Sequence, residues 1–191
     1  MDENESINDA TTSIEIYAGI AYGLASHSEG RGSSAFGTGS HAEGISTSAI
    51  GDGAHAEGLG NIAIGGASHA EGLKNKIEES AEGAHVEGYS NIIGGFDAST
   101  QSYTPAAGAH GEGWGNKVCG IGAHVEGWFN TVSGIGAHAE GMQNESIADG
   151  SHAEGIETKA LGRGAHAEGG PDGIDKTTAT GEFSHAEGRA T

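Results

Sequence analysis

The 191-residue sequence predicts an all-β chain, a parallel β-solenoid (β-roll) of about eleven 14-residue coils. Three observations predict it. The motif His-x-Glu-Gly recurs eleven times and accounts for every histidine in the chain. Each repeat holds two short segments that alternate with period two, which is the periodicity of strands and not of helices. Glycine ends both segments, where tight turns call for positive φ. Fixed self-similarity at a short period is the signature of a repeat architecture, in which each unit buries its apolar face only against its neighbours.

The motif histidines are His27, His41, His55, His69, His85, His110, His124, His138, His152, His166 and His185. Successive spacings are 14, 14, 14, 16, 25, 14, 14, 14, 14 and 19, so fourteen is the unit and three coils carry insertions. One unit runs from Ser40 to Gly53. Its first segment is Ser40-His41-Ala42-Glu43-Gly44 and its second is Ser48-Ala49-Ile50-Gly51. Positions expected to point inward are small, such as Ala42, Ala56, Ala70 and Val86, then Ala35, Ala49, Ala63, Val118, Val132 and Ala160. The roll must therefore be thin. At roughly 4.8 Å per coil, eleven coils span about 50 Å.

In order along the chain, residues 1–17 read as an acidic N-terminal cap or attachment segment, with Ile14-Glu15-Ile16-Tyr17 as a short capping strand. Residues 18–191 read as the repeat domain. Its insertions fall near 74–79, 96–107 and 170–176. Insertions in repeat proteins form surface loops that often carry binding. Phe96 and Tyr103, in the longest insertion, are thus the candidate ligand loop, with packing on a neighbouring chain as the plainer alternative.

Composition narrows the function. Eight basic residues face 27 acidic ones, a net charge of −19 with histidine neutral and −19 + 11 = −8 with all histidines charged. A chain without a basic stripe is a poor ligand for nucleic acid or for an anionic membrane surface. No apolar run approaches the roughly 20 residues of a membrane-spanning helix. One cysteine, Cys119, excludes an intrachain disulfide framework. A ladder of identical coils offers no unique concave pocket with a nucleophile, so no enzymatic activity and no cofactor is expected.

Two apolar columns are expected outside the roll. One follows the motif glycine: Ile45, Leu59, Leu73, Tyr89, Trp114, Trp128, Met142 and Ile156. The other contains Phe36, Ile50, Ile64, Cys119, Ser133, Ile147 and Leu161. Continuous exposed apolar stripes signal association, and a homotrimer is the expected assembly. Trp114 and Trp128 on consecutive coils suit interface packing, or alternatively a carbohydrate platform.

The second-segment strands Ile62-Ala63-Ile64-Gly65 and Ser48-Ala49-Ile50-Gly51 resemble the Ser-Val-Ala-Ile-Gly strand of YadA-type trimeric autotransporter adhesin heads. Ser-His-Ala-Glu-Gly resembles its Ser-x-Ala-x-Gly partner strand. The persistent His-Ala-Glu-Gly form is similar to repeats of phage tail-fibre and appendage proteins. The resemblance covers roughly Gly19 to Thr191. It implies left-handed rolls, three chains about one axis, further fibre or appendage modules at one or both ends, and a cell-surface glycan or receptor as the wider assembly's target. The N-terminus shows neither the basic nor the apolar stretch of a secretion signal, and no membrane barrel follows the repeats. This favours a virion tail fibre or extracellular appendage over a secreted adhesin.

His and Glu of each motif lie two residues apart and share one face, giving a column of eleven histidines beside a column of eleven glutamates. Two placements are open, between subunits or toward solvent. Cross-chain His–Glu hydrogen bonds are the structural expectation, with glutamate raising the histidine pKa. Stability from such pairs is full below about 6.5 and fades as pH rises through the folded value. A metal ion is the sharper alternative, with His41, Glu43, His55, Glu57, His124, Glu126, His138 and Glu140 as candidate ligands.

Overall fold

The computed structural model describes residues 19–97, 102–171 and 176–189. The expected N-terminal segment 1–17 and its capping strand lie outside them. Among the described residues the chain is all-β and contains no helix. Two parallel sheets of eleven strands each face one another, and the chain alternates between them. One sheet carries the motif strands, from His27–Arg31 through His124–Trp128 to His185–Arg189. The other carries the short second-segment strands, from Ile20–Ala21 through Ser48–Ala49 to Thr178–Ala179. This is the β-solenoid that the repeat predicts.

Register is exact along the whole stack. His27 pairs with His41, His69 with His85, His85 with His110 and His166 with His185, so even the coils with insertions realign histidine on histidine. Strand amides donate to the next coil, as in His41 N–H to Ala54 O (2.9 Å). Turn amides donate to the previous coil, as in Gly53 N–H to Thr38 O (2.8 Å) and Phe129 N–H to Trp114 O (2.9 Å). Turns as well as strands are thus paired between coils, which satisfies backbone groups that a thin structure could not bury unpaired.

The core is as narrow as the sequence implies. Ala42, Ala49, Ala56, Ala63, Ala153 and Ala160 have no solvent exposure. Central coils swell slightly to hold Ile77, Val86, Ile93, Val118, Val125 and Val132, and among the described residues no fully buried side chain is larger than isoleucine. Volume is compensated locally. At Gly111 the missing side chain leaves a space bordered by Ile93 Cδ1, Val118 and Val125 methyl groups at 3.4–3.6 Å from where a Cβ would stand. Close packing of this kind is what lets two sheets meet on so few carbons.

A buried polar ladder runs beside the core and was not among the sequence expectations. Asn61, Asn75, Asn91, Asn116, Asn130 and Asn144 occupy one corner of successive coils and are fully buried. Each Oδ1 accepts the backbone N–H of the next corner residue, as in Asn144 N–H to Asn130 Oδ1 (2.8 Å). Each Nδ2 donates to the motif glutamate's carbonyl and to the motif glycine's carbonyl one coil on, 2.7 and 3.0 Å for Asn130. Ser33, Thr47, Thr158 and Thr177 fill the same corner where the ladder ends.

The insertions leave the coils at turns. Lys76–Ile77, expected inside an insertion, is a regular strand paired on both sides. The two extra residues of that coil are Glu79 and Ser80, since Glu78 N–H bonds Ile93 O in the ladder and Ala81 stands where Gly65 stands in the preceding coil. The longest insertion forms an antiparallel pair, Gly95–Asp97 with Ser102–Thr104. Its tip, 98–101, and the third insertion's 172–175 lie outside the described residues.

Only one of the two segment-ending glycines has positive φ. The motif glycines do, for example +100° at Gly127, whereas Gly51 does not. The second turn's left-handed residue comes two positions later, at Gly53 and its counterparts, and Ala25, Ala67 and Phe183 adopt it too. At Gly127 a Cβ would overlap the carbonyl oxygen of Gly141. At Gly136 (φ +61°) it would meet nothing. Gly127→Ala is therefore expected to cost at least about 2 kcal/mol and Gly136→Ala about 1 kcal/mol or less, measured by denaturant unfolding. Asn130→Ala removes the acceptor of the buried Asn144 N–H, and a loss of about 2–3 kcal/mol is expected by the same measurement. Asn130→Thr should recover part of it, because threonine already serves at that corner.

Candidate functional site

The motif sheet presents three parallel columns on its outer face: imidazoles, carboxylates and apolar side chains. They arise because residues i, i+2 and i+4 of each strand share a side and every coil is in register. His and Glu of the nine inner motifs are half-buried while the residue between them is buried, and in the two terminal motifs His27, Glu29, His185 and Glu187 are exposed.

From His41 to His185 the imidazoles stack with centroids 4.7–5.0 Å apart and planes 4–15° from parallel. The terminal His27 ring instead meets His41 at 64°. Nε2 of nine histidines, His41 through His166, is shielded from solvent and has no hydrogen-bond partner. The atoms nearest to it of opposite character are carboxylate oxygens of the same chain. His41 Nε2 lies 3.9 Å from Glu29 Oε1 and 3.8 Å from Glu43 Oε2. His69 Nε2 lies 3.6 Å from Glu57 Oε1 and 4.0 Å from Glu71 Oε2. These are too long for hydrogen bonds. His41 and His69 therefore look between the carboxylates of their own coil and of the coil before, while His138, His152 and His166 stand 4.0, 3.6 and 3.6 Å from the glutamate of their own coil.

Of the metal-ligand candidates, the structure groups His41, Glu43 and His55 with donor atoms within 4.8 Å of one another, and likewise Glu57 with His69 and Glu71. His138 sits 4.0 Å from Glu140. His124 and Glu126 hold the same register positions one coil earlier.

The expected direction of histidine titration is reversed. His55, His69, His110, His138 and His152 all have pKa values pushed below the ordinary value. Burial in the stack is the main cause. The next imidazole, a like charge when protonated, adds to it, and the glutamates only partly oppose it. Carboxylates in the column also feel one another. Glu112 is raised by its hydrogen bond with Glu87 and by burial, and Glu140 by burial and by Glu126. The sequence shows which groups form the ladder, but the shift of each histidine also depends on burial in the stack and on the histidines above and below it.

The outer apolar columns lie where expected. Ile45, Leu59, Tyr89, Trp114, Trp128 and Ile156 are exposed and pair coil to coil with Leu73 and Met142 between them. The column passes to Arg31 at one end and to Gly170 and Arg189 at the other. Trp114 lies 5.7 Å from Tyr89, 5.8 Å from Trp128 and 5.2 Å from Phe129 by ring centroid. The second column exposes Phe36, Ile50, Ile147 and Leu161, with Ile64 half-buried. Phe96 and Tyr103 pair across the inserted hairpin, and their side chains lie outside the description.

No protein-family model matches the chain, and no curated protein matches it. No helix long and apolar enough to cross a membrane occurs among the described residues.

Stability should follow the lowered histidine pKa values. Their folded values lie below the unfolded value near 6.5, so the unfolded chain takes up protons first on acidification. This contribution is complete above about pH 6.5 and is lost as pH falls through the folded values. Melting temperature in chelator-treated buffer is expected to drop from pH 7.5 to pH 5. A rise over that interval would restore the opposite assignment, charged histidines held by glutamate.

Proposed function

We propose that this chain is a structural, non-enzymatic rod: a homotrimeric shaft or head segment of a phage or tailocin tail fibre, or of an extracellular appendage, that supports attachment to a host surface. The observation that carries this reading is the unbroken apolar column from Ile45 to Ile156, with a second, interrupted column beside it. A thin roll filled by alanine buries little, at roughly 25 cal/mol per Å², while the column from Ile45 to Ile156 remains open along the roll and Phe36, Ile50, Ile147 and Leu161 are open at the two ends of the second column, whose middle is Glu78, Gly94, Cys119 and Ser133. A partner with the same coil rise can cover such columns at every step, and a second and third copy of this chain have that rise. The resemblance to YadA-type heads and to His-Ala-Glu-Gly tail-fibre repeats points to the same assembly, with further modules at its ends.

A second reading, an adhesin head that itself binds matrix or glycan, draws on the exposed cluster of Tyr89, Trp114, Trp128 and Phe129. These rings already stand against one another and offer a ligand mostly edges, so coverage by a neighbouring chain is the better use of them.

Light scattering of the intact chain, at pH 5.5 and 8 and with and without chelator, is expected to give the mass of three chains. Trp114→Ser/Trp128→Ser should weaken that assembly by at least about tenfold in concentration dependence. A monomer in all conditions would remove the shaft reading. Retained assembly with loss of binding to a glycan array would favour the adhesin head.

A further inference from the structure

We propose that the His/Glu face is a string of binding sites for divalent transition-metal ions of the zinc class, each held by one imidazole Nε2 and the carboxylates of two consecutive coils. The proposal does not depend on oligomeric state.

Geometry selects this ligand set. With metal–donor bonds of about 2.0–2.2 Å, two ligand atoms of one ion stand at most about 4.2 Å apart. The four separations at His41 and His69 are 3.6–4.0 Å, inside that limit before any side chain moves. Neighbouring imidazoles do not meet it as well. Their parallel planes, 4.7 Å apart at His41 and His55, send in-plane lone pairs side by side instead of toward a common point. One histidine and two glutamates is therefore the natural set, and water would complete it.

Two further observations point the same way. The Nε2 atoms that would bind are those left shielded and without any hydrogen-bond partner, an expensive condition for a polar atom. The lysine ion pairs Lys76–Glu78, Lys159–Glu145 and Lys176–Glu157 all use carboxylates outside the carboxylate column. A line of carboxylates at the coil repeat, on a chain of net charge −19, concentrates cations along itself. Imidazole and carboxylate together suit zinc, copper or nickel better than calcium or magnesium, which prefer all-oxygen shells.

Sharing limits occupancy. Glu168 stands between His166 and His185, at 3.6 and 3.9 Å, and an ion at His69 takes one ligand from its own coil and one from the coil before. Two glutamates per ion among eleven allow about five ions per chain, on alternate coils and about 9.6 Å apart. Each ion would tie two coils together, stiffening the rod.

The test is calorimetric titration of the intact, chelator-stripped chain with zinc, with elemental analysis after dialysis. About five ions per chain at micromolar affinity or tighter are expected, with a raised melting temperature. The variant Glu43→Gln/Glu57→Gln/Glu71→Gln/Glu87→Gln leaves seven ladder glutamates, and the count should fall from about five to about three. X-ray absorption on the wild-type chain should show one imidazole per zinc, a readout that stands even if the variant does not fold. Fewer than one ion per chain, an unchanged count in a folded variant, or a zinc shell without imidazole would overturn the proposal. Mass measured in the same titration separates the two readings. A monomer that binds five ions removes the trimeric shaft and keeps the metal sites, and a trimer that binds none does the reverse.

Discussion

Coil-to-coil hydrogen bonding in strict register is the constraint on which the rest of this structure depends. It is enforced where the chain leaves the motif strand. There the backbone takes φ near +100° and passes directly over the carbonyl of the next coil's glycine, as Gly127 does over Gly141. Any side chain at that point would push adjacent coils apart, and the hydrogen bonds on either side would lengthen together. The ten motif glycines from Gly30 to Gly169 therefore act as one device. The other left-handed positions have no such contact, and alanine, serine, lysine and even phenylalanine occupy them.

Exact register has a chemical consequence: every side chain has copies of its own column above and below it. For alanine, valine and asparagine this is favourable. Alanines pack evenly, and an asparagine amide both accepts from and donates along the column, so the ladder satisfies itself. For histidine and glutamate it is not. Stacked imidazoles oppose one another's protonation, and in the carboxylate column Glu112 and Glu140 are raised while Glu43 is lowered by its hydrogen bonds with Glu57 and Glu29. The fold tolerates this because the backbone and the buried asparagines hold the coils at a spacing that the outer face cannot relax.

Much of this was legible in the sequence, because period and face are properties of spacing alone. The strand positions, the inward alanines and the two outer apolar columns follow from alternation and a 14-residue repeat. What escaped were features that depend on contacts between coils. Asn61 to Asn144 recur at a fixed offset from the motif, yet asparagine reads first as a turn former, and its burial appears only once coils stack. Lys76–Ile77 looked like inserted sequence because its polarity breaks the Ser-Ala pattern, although Ile77 simply enlarges the core beside Val86. The direction of the histidine shifts needed the ring above and the ring below, which a single motif does not display.

The contrast between the two outer faces bears on why His and Glu recur without exception. On the second-segment sheet, the outward position runs Ile20, Ser34, Ser48, Ile62, Lys76, Ile92, Lys117, Thr131, Glu145, Lys159 and Thr178. That position is hydrogen-bonded into the same kind of ladder at the same spacing, and it accepts apolar, neutral, cationic and anionic residues alike. Register and rod stiffness therefore place no demand on outward side-chain identity. Apolar association places little more, since its columns pass through serine, cysteine, methionine and glycine. A motif that keeps an imidazole beside a carboxylate in all eleven coils, with an unsatisfied nitrogen in nine of them, against the electrostatic cost of stacking like on like, answers to a requirement acting along the face. Coordination of a cation between consecutive coils is such a requirement. It needs both residue types together, it needs them repeated, and it offsets the repulsion that the register creates.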